Sequence, residues 1–355
     1  MVAIEDIRRA PKVLLHDHLD GGLRPATLVE LAEATGYPGL PTTDPAALAA
    51  HIRAAASRGS LEAYLETFAH TTGVMQTAEA IERVAFECGE DLAADGVVHA
   101  EVRMAPELCT RAGLRLDDAI EATVAGFARA RARRGIGLGL LVCGMRGGPH
   151  VHAAAEAALR WRGRGVVGFD IAGAEAPHPP TDHLDTFRLL QHAGVHVTMH
   201  AGESAGLDSV RVATVDCNAE RLGHGVRLVD DLTGGTAPQV GPFAAWVRDR
   251  QIPLEVCPTS NVHTAAAPSV AEHPFGLLHR LGFRVTVNTD NRLMSGVTLS
   301  GELTALDAAF DLGLPGLEAL QVAAAESLFA PVDDRRRLVA EVIRPGFARL
   351  SEAVA

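Results

Sequence analysis

Lysine is almost missing from this chain. Lys12 is the only one in 355 residues, so arginine supplies nearly all of the 32 basic side chains. A mechanism that needs a lysine beside its substrate, as a Schiff base or as a carboxylated bridge between two metals, therefore has one candidate. That candidate lies at the start of the first apolar run, at the wrong end for chemistry at a strand exit. Cysteine is sparse too. The five, at 88, 109, 143, 217 and 257, form no CxxC pair and are odd in number. This argues for reduced thiols and against a thiolate zinc cluster. No apolar run reaches membrane-spanning length, and the first thirty residues hold no signal-peptide core. A cytoplasmic protein with no membrane partner is expected. Basic stripes are also lacking. Net charge is −12, and the arginine groups at 131–134 and 335–337 sit in mixed-charge helical surroundings, so no nucleic-acid partner is expected.

What is present suits one large folded unit. Short β-rich apolar runs at 12–16, 97–103, 138–143, 166–171, 195–200, 220–223, 253–256 and 284–288 alternate with helical patterns. Eight strands each followed by a helix imply a parallel sheet, and eight is the number that closes as a (β/α)8 TIM barrel. An open doubly wound sheet is less well supported, because no GxGxxG follows an early strand. The expectation is a single α/β domain over 1–355, with helices at 301–311, 315–327 and 332–352 after the last strand. The segment 23–76 is far longer than an ordinary βα connection. It is expected to insert helices at 25–35, 44–57 (capped by Asp44) and 61–72. Leu61, Tyr64, Leu65 and Phe68 recur at helical spacing, an apolar face suited to a lid over a pocket.

The chemistry begins at VLLHDHLDGG, residues 13 to 22. In a strand, residues i and i+2 share a face, so His16 and His18 converge on one point just before Gly21 and Gly22 end the strand. Two imidazoles aimed at one point are half of a transition-metal site. Later strand ends carry the remaining polar residues: His200 and Glu203 in VTMHAGE, His224 in RLGHG, Asp290 and Asn291 in VTVNTDNR, and Gly173 in GFDIAGAE. A barrel gathers its strand ends into one face, where barrel active sites lie.

The set HDHLDG, MHAGE, RLGHG and VNTDN, in that order, resembles the adenosine deaminase family of the amidohydrolase superfamily, in its actinobacterial form. DLAADGVVHAEVRMAPE, GVVGFDIAGAE and LEVCPTSN extend the resemblance over nearly the whole chain. It implies one Zn²⁺ per chain held by His16, His18, His200 and Asp290. It also implies a purine nucleoside substrate, deaminated hydrolytically in purine salvage. Glu203 would donate a proton to the ring nitrogen, His224 would orient the attacking water, and Asp290 would also accept its proton. His18, Asp20, Gly173 and Asn291 would meet the substrate, Asp20 at a ribose hydroxyl and Gly173 through its N–H.

Some residues depart from that pattern. Asn291 stands where the family commonly has a second aspartate, and its amide can still donate to the purine imidazole nitrogen. Segment 174–181, with His99 and Met104, also differs. His150 and His152 form a second HxH, but at a helix start, where i and i+2 do not share a face. His263 lies near the expected pocket mouth. His51, His70, His178, His183, His192, His196, His273 and His279 are expected to be scaffold or surface. A binuclear amidohydrolase is disfavoured by the lack of a suitable lysine, and a PCxxC-type base deaminase by the missing signature. A non-catalytic binding relative would have lost a ligand or proton shuttle, and none is lost. The alternative substrates are a modified nucleoside such as 6-aminodeoxyfutalosine, or 5′-deoxyadenosine.

Overall fold

The computed structural model describes residues 1–235 and 238–354. Eight parallel strands form the barrel: β1 (Lys12–His18), β2 (Val97–Met104), β3 (Gly137–Met145), β4 (Val166–Ala172), β5 (Thr198–Ala201), β6 (Arg221–His224), β7 (Leu254–Val256) and β8 (Val285–Val287). They pair as two four-stranded arcs, β1-β2-β3-β4 and β8-β7-β6-β5. Single parallel bridges close the arcs, Phe169 with Val197 and Asp17 with Asp290. The fold is the (β/α)8 barrel, and its hydrophobic core includes the buried side chains of Leu14, Val102, Leu140, Phe169 and Leu222.

Lys12 explains its own rarity at the chemistry. Its buried ammonium donates to the carbonyls of Ile7, Arg8 and Ala10 at 2.6, 3.1 and 2.8 Å, closing the end of the helix Ile4–Arg9. It serves the barrel floor, at the N-terminal end of β1.

Between β1 and β2 the chain inserts helices at Pro25–Thr35, Pro45–Ala56, Leu61–Leu65 and Phe68–Val74. Asp44 caps the second, accepting from the Ala47 N–H at 2.7 Å. The helix expected over 61–72 is broken at Glu66–Thr67. There the Thr67 hydroxyl donates to the Tyr64 carbonyl at 2.6 Å, competing with the helical ladder.

Other elements differ from the expected spans for local reasons. The run 195–200 pairs continuously only from Thr198, because His196 and Val197 bond singly to β4 and to Glu220 while the Val195 N–H donates back to Leu190. The helix that follows β5 is regular only at Leu207–Arg211 and then widens into a π turn, Val212–Asp216. The last helix is likewise interrupted by a π turn at Leu338–Ile343, just before Pro345, whose ring lacks the N–H a regular helix would use. A small antiparallel ribbon, Leu232–Thr233 with Gln239–Val240, is not signalled by the sequence. No helix among the described residues is long and apolar enough to cross a membrane.

Candidate metal and proton-transfer site

Strand alternation sets the first part of the site. His16 and His18 point into the barrel, while Asp17 points outward and accepts from Arg292 at 3.0 Å and the Thr289 hydroxyl at 2.8 Å. Barrel closure sets the second part. The His18 N–H donates to the Asp290 carbonyl at 2.7 Å, and the Asp290 N–H donates to the His16 carbonyl at 2.9 Å. The Asp290 carboxylate is thereby seated between the two rings, 3.3 Å from Nε2 of each. Asp290 and His224 both hold left-handed backbone, with φ of 56° and 68°. That conformation is uncommon outside glycine and gathers at functional sites.

One ligand atom each from His16, His18, His200 and Asp290 lies within 4.8 Å of the others. Nε2 of His18 and Nε2 of His200 are 3.2 Å apart, and Nε2 of His16 is buried without a hydrogen-bond partner. The far side of the rings explains this. Nδ1 of His16 meets Glu255 at 3.1 Å and Nδ1 of His200 meets Asp170 at 3.0 Å. A carboxylate at Nδ1 keeps the proton there and leaves a lone pair on Nε2. Lone pairs converging without donors call for a cation, and three imidazoles with one carboxylate fit zinc with a position left open. Ser260 donates to the other oxygen of Asp290 at 2.6 Å, so that carboxylate also is held from behind.

Arg103 ties this outer layer together. Fully buried, it donates to Asp170 and to Glu255, each at 2.7 Å, and to the Leu15 carbonyl at 2.8 Å. Burial alone would raise both carboxylates. The His200 ring at its side and the Arg103 charge hold Asp170 low, and the charges of Arg103 and Arg221 hold Glu255 low.

Beside His16, His18, His200 and Asp290 sits a buried carboxyl group. The Glu203 carboxyl is pushed up to about 8 by burial, with the Asp290 charge adding to the effect. Its Oε1 accepts from the Thr264 hydroxyl at 2.8 Å and the Asn261 amide at 3.3 Å, and its Oε2 is 3.6 Å from Nε2 of His224. A hydrogen-bond chain fixes the His224 tautomer. The Phe275 backbone N–H donates to Nδ1 of His273, so the His273 proton is on Nε2 and points to Oδ1 of Asn261 at 3.1 Å. The Asn261 amide nitrogen must then donate to Nδ1 of His224, at 3.1 Å. With its pKa driven down by burial, His224 is neutral and carries its proton on Nε2, facing the site.

A narrow chamber of about 40 Å³ touches His200, Glu203, His224, Asp290 and Asn291. Gly173 and the insertion residues Leu61, Tyr64, Leu65 and Phe68 also line it. A wider cavity of about 440 Å³ adjoins it through His18, Leu65, Phe68 and Gly173, and holds Asp20 and Met145 on its wall. Burial pushes the Asp20 carboxyl up to about 7, and its Oδ1 has no partner. The Asn291 Oδ1 is similarly buried and unpartnered.

All the residues singled out as ligands, proton carriers or substrate contacts fall on these two connected spaces or directly behind them. His178 does so unexpectedly, lining the wider cavity. His152 instead lies on the helix Val151–Trp161, bonded to Thr186 at 3.0 Å, and His150 immediately precedes that helix without a side-chain capping bond. His263 ends the short helix Pro258–His263 and lines neither space. Sequence reasoning missed Arg103, Asp170, Glu255, Asn261, Thr264 and His273 as supporting residues. The usable signal for the first three is a charged side chain within an apolar strand, since all are fully or almost fully buried.

The sequence profile of the family described as adenosine deaminase matches residues 11–345. The chain is 54% identical over 352 residues to an adenosine deaminase of Mycobacteroides abscessus, covering 97% of each. It is 54% identical to adenosine deaminase 1 of Streptomyces coelicolor, covering 97% of this chain and 89% of that one. Among solved structures, an amidohydrolase from Burkholderia ambifaria with bound Zn superposes with a TM-score of 0.85 at 25% identity, over 100% of this chain and 95% of that one. An adenine deaminase from Arthrobacter aurescens shares the fold, with a TM-score of 0.83 at 24% identity, over 97% and 99%.

Proposed function

The chain belongs to the adenosine deaminase family, and on that premise we propose that it deaminates adenosine and 2′-deoxyadenosine hydrolytically, giving inosine or 2′-deoxyinosine and ammonia. The observation that carries this reading is the meeting of His16, His18, His200 and Asp290 within 4.8 Å beside a buried Glu203. Those four would hold one zinc. When bound, zinc supplies Lewis acidity that brings the pKa of water toward neutrality.

The protein groups divide the proton work. Glu203, protonated near neutral pH, donates from its carboxyl to the purine ring nitrogen beside the carbon that bears the amine. His224, with Nε2–H facing the site, orients the attacking water. The Asp290 carboxylate accepts the water's proton and returns it toward the leaving amine. Gly173 offers its N–H to the base, and Asn291 lies at the imidazole side of the purine. His18 and Asp20 meet the sugar side, Asp20 through its unpartnered oxygen. The helices inserted over 23–76 act as a lid, because Leu61, Tyr64, Leu65 and Phe68 close the chamber from above. The wider cavity has two carboxylates on its wall, Asp20 and Glu66, and no arginine. That favours an uncharged nucleoside over a nucleotide. All five cysteines are free and buried, as a reducing cytoplasm allows, and purine salvage is the fitting role.

The test is conversion of adenosine to inosine, followed by the ultraviolet difference between them and by release of one ammonium per turnover. Chelation should abolish turnover and zinc should restore it. Glu203→Gln should lower kcat by on the order of 10²- to 10⁴-fold. Full activity in metal-free protein would overturn the zinc assignment. Turnover of 6-aminodeoxyfutalosine or 5′-deoxyadenosine without adenosine would replace the substrate.

A further inference from the structure

The N–H groups of the loop that carries Glu203 find no backbone partner among the described residues. This loop, residues 202–205, follows β5 outside any helix or strand. Buried N–H groups need acceptors. All four find the same one. Glu175, buried on the β4 loop, accepts from Gly202 at 2.5 Å through Oε1, and from Glu203, Ser204 and Ala205 at 3.1, 2.8 and 2.9 Å through Oε2. The Ser209 hydroxyl adds a fifth bond, to Oε1 at 2.5 Å. Successive backbone N–H groups curled around an anion form a nest, a recognised way of holding negative charge.

We propose that Glu175 is the positioning residue of the proton-transfer step, the anionic hub that places the Glu203 carboxyl against the purine. The inference rests on the deaminase reading above. Glu175 stands two residues after Gly173, so one side chain fastens the β4 loop, which offers the base an N–H, to the β5 loop, which bears the acid. The two substrate contacts then move as a unit. None of the hydrogen bonds of Glu175 goes to His16, His18, His200 or Asp290, so its loss should disturb the acid without dismantling the metal site. A displacement of about 1 Å at a reacting group can cost on the order of 100-fold in rate. The Glu175 charge also adds to the forces that keep Glu203 protonated.

Glu175→Gln tests this, because it keeps the shape but turns an NH₂ toward N–H donors. Zinc content, melting temperature, KM and kcat for adenosine are measured beside the wild type. Expected is a kcat lower by about 10- to 100-fold, with KM within about threefold of wild type and zinc content and melting temperature held. Glu175→Asp, which keeps the charge on a shorter arm, should recover part of kcat. An unchanged kcat in folded Glu175→Gln would overturn the proposal. So would losses of kcat, KM, zinc and melting temperature together, which mark a merely structural residue. If Glu175→Gln fails to fold, Ser209→Ala removes one bond from the same oxygen and should lower kcat alone by about two- to fivefold; no change there overturns it equally. Wild type that fails to deaminate adenosine would sink the underlying reading instead.

Discussion

Arg103 and Asp170 form a fully buried pair at 2.7 Å, and the same aspartate holds Nδ1 of His200. A candidate metal ligand is thus oriented by a carboxylate that is itself oriented by a guanidinium. Asp170→Asn keeps the volume but removes the charge that fixes the His200 proton. Zinc affinity, read by competition with a chromophoric chelator, should fall by on the order of 10- to 100-fold. Unchanged affinity would show that the His200 orientation does not depend on Asp170.

The tautomer chain ending at His224 gives a second expectation. In Asn261→Asp a carboxylate faces Nδ1 of His224, which demands a proton at the nitrogen that accepts one in the wild type. The same carboxylate replaces the amide that donates to Glu203. The variant should bind adenosine with little change in KM and lose about 100-fold in kcat. Wild-type kcat in this variant would remove His224 orientation from the mechanism.

Glu302 predicts a pH dependence of stability. Burial raises its carboxyl from 4.5 to about 7, its Oε1 has no partner, and its Oε2 accepts from the Thr259 N–H at 3.2 Å. Because the folded value is the higher one, there is no penalty below about pH 4.5, where both states are protonated. Stability is lost as pH rises toward 7, and the penalty is complete above that. Glu302→Gln removes the charge and should therefore stabilise the fold at pH 8, by at most about 3 kcal/mol. Denaturant unfolding at pH 4.5 and 8 checks this, and an equal gain at both values would contradict it.

Close packing beside Asn291 gives the last expectation. A Cβ on Gly21 would stand 1.9 Å from Oδ1 of Asn291 and 2.8 Å from its Cβ. Gly21→Ala must displace the Asn291 side chain, which lines the chamber. kcat/KM for adenosine should fall by about tenfold or more while zinc content holds. A variant with wild-type kcat/KM would detach Asn291 from substrate recognition.

The fold was legible because each barrel strand is an apolar run bounded by helical pattern, and the residues that gather at the candidate metal site were legible because they fall where those runs end. Capping chemistry was equally plain at Asp44. The breaks were less so: the interruption at Thr67 depends on a side-chain hydroxyl choosing a carbonyl. The supporting layer was hidden for another reason. Arg103, Asp170 and Glu255 are separated by 67 and 85 residues along the chain, and Glu175 meets its partners about 30 residues later. Their roles exist only once closure brings distant strands together, so no local spacing announces them.

The single lysine has a practical consequence. Its ammonium is enclosed by three carbonyls beneath the barrel, so the folded chain shows no side-chain amine to solvent. Acylating reagents and aldehydes that modify most proteins at many points would find Lys12 only when the floor opens. Its labelling rate would then be a one-site clock for barrel unfolding, read by mass spectrometry without any engineered probe.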